Sequence, residues 1–210
     1  LIKLLIADDH TLVRKGLKQI LLESKGIERV DEAATAKETI NKVSQKDYDL
    51  VVLDISLPDR SGIDVLKQLK SLKPKLPVLI LSMYPEEQYA FRSLRAGAAG
   101  YLTKVSAPDE LITAIQRVAS GGKYITLSLA EKLADELDSH MDKPPHEILS
   151  DREFQVMCMI ASGSTVKEIA SALDLSVKTI STHRSRMLKK MHMDNNSQIT
   201  YYAFKHGLVD

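Results

Sequence analysis

The sequence predicts an α/β chain in two parts: a five-stranded, doubly wound parallel sheet, then an all-helical domain. Three observations predict it. Near-continuous aliphatic runs, "KLLIAD", "DLVVLD" and "PVLILS", recur through the first half, as strands buried on both faces of a parallel sheet require. Amphipathic stretches separate them, the alternation expected when helices cover both sides of the sheet. After Pro144–Pro145 only helical signals remain, and paired prolines suit neither a helix interior nor a central strand. The expected boundaries are 1–121 for the sheet domain, 122–147 for a linker with a short helix, and 148–210 for the helical domain.

The elements follow in order. "KLLIAD" opens the sheet, a weaker "ERVDEA" comes next, and "DLVVLD", "PVLILS" and "GYLT" complete it. Leu12, Val13, Leu17, Ile20 and Leu21 recur at helical spacing behind Thr11,. "TAKE" at Thr35–Glu38 has capping-box form ahead of Ile40 and Val43,. Ile63, Leu66, Leu69 and Leu72 make a further stripe, and "APDELITAIQRVASG" opens with Pro108 and closes at Gly121, a well-marked helix,. "LSLAEKLADEL" reads as the short helix of the linker. Beyond it, "SDRE" and "TVKE" are capping boxes and Ser176 is a third N-cap, which predicts helices near 151–161, 166–173, 177–191 and 197–206,.

Totals narrow the class. A chain of 210 residues fits two small domains,, and 44% hydrophobic with 27% charged residues is ordinary for a globular protein,. With no bilayer-length apolar run and no signal-peptide pattern, the expectation is a cytoplasmic protein without a membrane partner,. Because the first residue is Leu1, a short N-terminal piece is expected before it. One cysteine, Cys158 in "FQVMCMIA", excludes an intramolecular disulfide and a Cys-rich zinc site, and reads as a core residue,. Net charge is only +1, yet Val177 to Met191 carries Lys178, Arg184, Arg186, Lys189 and Lys190 and no acid,.

Ligands of open α/β sheets bind beyond the C-terminal ends of the strands. Asp8 and Asp9 end the first strand, Asp54 the third and Ser82 the fourth, and Lys104 follows the fifth. Singly each is a turn or cap residue; together they form a pocket. Clustered carboxylates repel one another and lose hydration, and a hard divalent cation such as Mg²⁺ removes the conflict. No His or Cys belongs to this set, which argues against zinc,. Lys104 and Ser82 suit an anion, so the pocket points to phosphoryl chemistry with a carboxylate nucleophile.

"IADDH", "VVLDISLPDRSG", "LILS", "AGAAGYLTK" and the Pro108–Ala119 helix resemble a bacterial response-regulator receiver domain over roughly residues 1–121. The resemblance implies that Asp54 accepts a phosphoryl group from a sensor histidine kinase. It implies Mg²⁺ on Asp9, Asp54 and the main-chain carbonyl of Ser56, with Asp8 acting through water. Lys104 would pair with the phosphoryl group, Ser82 would hydrogen-bond to it, and Tyr101 would follow by turning inward. Val105 stands where many receivers carry proline after the lysine. By itself Tyr101 also fits a strand residue with its hydroxyl in water.

"TVKEIASALDLSVKTISTHRSRMLKKM" reads helix, turn, helix, with Ile169, Leu173, Leu175, Ile180, Met187, Leu188 and Met191 inward,. Lys178, Ser181, Thr182, Ser185, Arg186 and Lys189 point elsewhere, a basic and hydroxyl face suited to the DNA major groove,. His183 reads as a structural or DNA-backbone residue. Together with "LSDRE" and the last helix, the segment 148–210 resembles a LuxR-type DNA-binding domain, and the whole chain resembles the NarL/FixJ-type arrangement. That resemblance makes residues 177–191 the recognition helix, puts Ser181, Thr182 and Ser185 near base edges, and implies phosphate contacts from Lys167, Lys178, Thr179 and Lys189. It makes Ile199, Tyr202, Ala203 and Phe204 a dimer contact, although such residues also serve packing within the domain.

The expected function is a two-component regulator in which phosphorylation controls homodimerisation and binding to double-stranded DNA, with RNA polymerase a further partner. It is not an enzyme beyond Mg²⁺-dependent self-phosphorylation and autodephosphorylation at Asp54. An aspartyl phosphohydrolase is the rival, weakened because Ser56 stands where such enzymes place a second Asp. A receiver that folds but is never phosphorylated is a second rival, against which all five pocket residues are present.

Overall fold

The structure, a computed structural model, describes residues 1–127, 129–131 and 144–209. The chain divides into two units, Leu1–Ala134 and Asp135–Asp210. In the first, strands β1 (Ile2–Ala7), β2 (Ile27–Ala33), β3 (Leu50–Leu53), β4 (Val78–Ser82) and β5 (Gly100–Thr103) form one parallel sheet in the order β2-β1-β3-β4-β5. Helices α1 (Thr11–Glu23), α2 (Ala36–Gln45), α3 (Gly62–Leu72), α4 (Glu86–Arg95) and α5 (Ala107–Ala119) connect and follow the strands. This is the doubly wound α/β class that the aliphatic runs predict.

β3 and β4 are buried at every position, which is why their sequences show no polar alternation. Leu4, Ile6, Leu50, Val52, Leu79, Leu81 and Leu102 make one core with Leu17 and Leu21 of α1 and Leu111, Ile115 and Val118 of α5. Each buried aliphatic side chain of this kind stabilises the fold by roughly 1.5–3 kcal/mol. The stripe on α3 stops at Leu69, because Leu72 is half exposed. α4 buries Tyr89, Ala90 and Ser93 instead of a leucine stripe. Only half of the box at Thr35 forms: Thr35 accepts from Glu38 N, while Glu38 reaches past it to the Ala34 amide at 2.8 Å.

The second unit holds a one-turn 3-10 helix, Pro145–Ile148, then α6 (Asp151–Ala161), α7 (Val166–Ala172), α8 (Val177–Lys190) and α9 (Asn196–Lys205). Pro145 thus opens a turn as well as marking a break, a first-position role that its missing N–H permits,. Of the short helix expected at "LSLAEKLADEL", Leu127 and residues 129–131 are helical, and the remainder lies outside the described residues. Phe154, Val156, Met157, Cys158 and Ile160 of α6 are buried, and α8 and α9 pack on that helix. Both predicted capping boxes form, at Ser150/Glu153 and Thr165/Glu168, and Ser176 caps α8 by accepting from Thr179 N. The turn between α7 and α8 places Asp174 at φ 50°, and Leu175 N bonds back to Ala170 O at 2.9 Å, so the two helices meet through a tight left-handed corner. Among the described residues no helix is long and apolar enough to cross a membrane.

Glu153 joins two parts of this unit, accepting from Ser150 N at 2.9 Å and from Lys190 Nζ at 2.6 Å. Burial pushes its carboxyl up, but the bonds from Lys190 and Ser150 outweigh burial and hold it below its ordinary 4.5. A lowered folded value means that its contribution is complete above about pH 4.5 and is lost as pH falls through that lowered value,. Glu153→Ala should cost about 1–2 kcal/mol at neutral pH and flatten the acid limb, which urea titrations of the full chain from neutral to acid pH will measure.

Candidate functional site

The strand order reverses between β1 and β3, the place where open α/β sheets leave a crevice beyond their strand ends,. Ala7 pairs with Leu53 there, so the next residues, Asp8 and Asp54, emerge side by side. Both are buried, at 1% and 2% exposure. Lys104, arriving from the end of β5, places Nζ 2.6 Å from Asp54 Oδ2 and 2.7 Å from Asp8 Oδ2. One ammonium therefore bridges two buried carboxylates. No cis peptide bond occurs among the described residues, so Lys104 reaches both acids with a trans bond to Val105. The Lys104 amide is anchored to Ser82 O at 2.7 Å, and Thr103 and Ser106 lock the following turn.

Charge in the pocket is tightly balanced. Burial pushes the Asp54 carboxyl above its ordinary range, Lys104 opposes that shift, and Asp8 reinforces it. Burial also works against the Lys104 ammonium, but Asp54 and Asp8 more than offset it and hold its pKa above the ordinary value. Asp54 Oδ1 accepts from the Ser56 amide at 3.2 Å, leaving the Ser56 residue held beside the carboxylate. Asp9 is the more open acid of the pair, its side chain 36% exposed.

Four contributors were not singled out by sequence. His10 places Nδ1 2.7 Å from Asp9 Oδ1 and 3.3 Å from Asp8 Oδ1, so the acidic group does include an imidazole, contrary to the expectation of a His-free set. Its position next to Asp9 was the available signal. Arg14 donates to the Asp8 carbonyl at 2.5 Å and to Glu32 at 3.3 Å, tying the end of β1 to β2. Gly62 starts α3 so close to the end of β3 that a β-carbon would overlap the Asp54 carbonyl oxygen. Asp59, in the loop between them, caps α2 by accepting from the amides of Ala36 and Lys37 at 2.7 and 3.0 Å.

The donor atoms of Asp8, Asp9, His10 and Asp54 lie within 4.8 Å of one another. Three carboxylates dominate that set, and Lys104 already shows that the buried pair holds a cation, so a hard divalent ion fits the donors present. Ser82 and Tyr101 are fully buried. Ser82 Oγ accepts from Tyr84 N at 3.2 Å and hydrogen-bonds the Tyr101 phenol, which donates to Tyr84 O at 2.8 Å. Tyr101 is thus turned inward, and its hydroxyl is not in water.

In the second unit, Lys167, Lys178, Ser181, Thr182, Ser185, Arg186 and Lys189 are exposed, while Thr179 is half-buried and hydrogen-bonded to Ser176 at 2.8 Å. Two cations of α8 are engaged within the domain: Arg184 on Asn196 at 2.7 Å and Lys190 on Glu153 at 2.6 Å. His183 is half-buried against α6; burial first and Arg152 second lower its pKa, so it is structural. Ile199 and Ala203 are fully buried, and Tyr202 is half-buried with its hydroxyl 2.9 Å from His146 Nδ1. The expected dimer contact is corrected only at Ile199 and Ala203, which hold α9 to its own domain; Phe204, expected in the same contact, lies on the exposed face with Thr200 and Tyr201.

Two family models match the chain: "Response regulator receiver domain" over residues 4–116 and "Bacterial regulatory proteins, luxR family" over residues 147–203. Response regulator UvrY of Escherichia coli (strain K12) is 34% identical over 211 residues, covering 100% of this chain and 97% of the relative. Oxygen regulatory protein NreC of Staphylococcus carnosus (strain TM300) is 36% identical over 215 residues, covering 99% of each. Among solved structures, RcsB from Salmonella enterica serovar Typhimurium bound to promoter rprA in the presence of phosphomimetic BeF3- aligns with a TM-score of 0.65 at 27% identity. That alignment covers 96% of this chain and 97% of the other.

Lys104→Met should leave two buried carboxylates facing each other and destabilise the first unit by about 3 kcal/mol. Millimolar Mg²⁺ should restore a part of the loss, because a ligand that binds only the folded state stabilises it. Thermal melts of the variant with and without the cation measure both effects.

Proposed function

The chain belongs to the response regulators that join a receiver domain to a LuxR-type DNA-binding domain, and from that premise we propose that Asp54 is its phosphoryl acceptor. As a member of that family it is a DNA-binding regulator of transcription. The observation that carries the proposal is the buried Asp54 carboxylate held by Lys104 at the strand-order reversal. An oxygen of Asp54 attacks phosphorus, the bond from phosphorus to the kinase's histidine nitrogen breaks, and the electron pair leaves with that nitrogen. Lys104 stays within reach of the transferred oxygens and neutralises their charge. Asp9, Asp54 and the Ser56 carbonyl, with Asp8 beside them, would hold Mg²⁺, which would supply further neutralisation of that charge. The same residues account for self-phosphorylation from small phosphodonors and for autodephosphorylation. Ser82 then turns to the phosphoryl group, and the Tyr101–Tyr84 bond rearranges with it.

The second unit carries the output. Lys178, Arg186 and Lys189, with Lys167 from α7, form the exposed cationic set that meets DNA phosphates, with Thr179 at its edge. Ser181, Thr182 and Ser185 face the base edges. RcsB was solved on promoter DNA, and its likeness to this chain supports a double-stranded DNA partner. The homodimer formed on phosphorylation uses the Thr200, Tyr201 and Phe204 face of α9, bordered by Tyr202. The sensor histidine kinase and RNA polymerase complete the partners, and the cytoplasm is the compartment where all of them meet.

Acetyl phosphate with Mg²⁺ should label the wild-type chain and leave Asp54→Asn unlabelled in a phosphoprotein gel; equal labelling of the two would overturn the assignment. DNA affinity should fall steeply with salt, because each phosphate contact releases counterions. In filter-binding titrations, Lys178→Ala should weaken all sequences alike and reduce the log–log salt slope by about 1, whereas Thr182→Ala should alter sequence preference.

A further inference from the structure

Beyond α5 the chain does not leave the sheet at once. Residues Lys123 to Thr126 run along the outer edge of β5 and bond to it. The Tyr124 amide donates to Ala99 O at 2.9 Å, and the Tyr101 amide donates to Tyr124 O at 3.3 Å, so Tyr124 extends the sheet by one parallel bridge to Gly100. Lys123 Nζ donates to Ala98 O at 2.8 Å. Two side chains fasten the segment to the flanking helices: the Tyr124 hydroxyl donates to Glu110 of α5 at 2.5 Å, and the Thr126 hydroxyl donates to Glu86 of α4 at 2.6 Å. Gly100 is what lets the segment seat, because a β-carbon there would run into the Tyr124 carbonyl.

Two of these contacts begin at the pocket. The residue whose amide holds Tyr124 is Tyr101, and its phenol bonds to the Tyr84 carbonyl two residues before Glu86. Thr126 also faces forward: its Oγ accepts from the Leu129 amide at 3.2 Å, starting the helical residues that lead toward the DNA-binding unit. A single hydroxyl therefore links the start of α4 to the start of the linker helix.

We propose that Lys123–Thr126 is a strap whose hold on β5 and Glu86 reports the state of the phosphoacceptor pocket to the linker. This rests on Asp54 being the phosphoryl acceptor. When Ser82 and Tyr101 rearrange, the Tyr84–Glu86 segment moves with them, the Glu86–Thr126 bond parts, and the strap lifts from the edge of the sheet.

Hydrogen exchange on the full chain, with and without Mg²⁺ and beryllofluoride, tests it. The expected result is that beryllofluoride speeds exchange of the Tyr124 amide about tenfold, the order expected for losing a hydrogen bond to a charged group. Glu86→Ala should give the same acceleration without beryllofluoride, and Glu87→Ala, in the same helical turn but exposed, should not. If peptides of residues 82–86 respond to beryllofluoride while Tyr124 does not, the strap does not report and the proposal is overturned. If Glu86→Ala leaves Tyr124 exchange unchanged, the Thr126 bond is not the fastening and the proposal fails there. A pocket that itself ignores beryllofluoride overturns the phosphoacceptor assignment, and the strap falls with it.

Discussion

The bridge from Lys104 to Asp54 and Asp8 is the constraint around which the first unit is arranged. Two carboxylates and an ammonium are nearly out of water there, with side chains 2–5% exposed. Desolvating such groups costs several kcal/mol each unless the geometry returns it. Geometry comes from three strands at once: β1 brings Asp8, β3 brings Asp54, and the turn after β5 brings Lys104. Register between β1 and β3 fixes the spacing of the acids, so the hydrophobic sheet acts as the template for a polar site. The arrangement also leaves one cation serving two anions, with Asp9 and His10 at its open side. Such a site has a standing preference for further positive charge, and a divalent ion would meet it.

The helical unit solves a different problem, that of keeping cations available. α6 is the platform: its apolar face takes up α8 and α9, and its Glu153 pairs with Lys190 of α8. Arg184 is spent on Asn196. What remains outward is a row of lysine, arginine, serine and threonine without an acid among them. Sorting charges into structural and available ones is visible only once the packing is known.

Much of this was legible in the residues. Fully buried strands announce themselves as "VVLD" and "LILS", and caps announce helices, so the fold class, the strand positions and the two boxes at Ser150 and Thr165 could be read directly. Asp8, Asp9, Asp54 and Lys104, which the structure brings together, were legible because each follows a strand end. α4 was not singled out, since it buries Tyr89, Ala90 and Ser93 and shows no aliphatic period. Ile199 and Ala203 were hard to place because an apolar residue on a terminal helix looks the same whether it faces its own core or a partner. Gly62 was silent for another reason. Its importance lies in what approaches it through space, and a single small residue at a helix start carries no periodic signal; His10 offered only its place beside Asp9.

Gly62 has a mechanical consequence. With no side chain to hold it away, α3 is drawn against the main chain of Asp54, the Gly62 amide bonds to Ile55 O at 2.7 Å, and Asp59 pins the same loop to the start of α2. Ser61 caps α3 and Thr35 caps α2. Across the pocket the helix starts are bare: neither Pro85 before α4 nor Ser106 before α5 forms a side-chain cap. The crevice therefore has one sewn wall and one loose wall. Local opening is cheapest where caps and buried contacts are fewest. A new charge on Asp54 would meet less resistance across the crevice, toward α4 and β5, than at the wall sewn by Gly62 and Asp59.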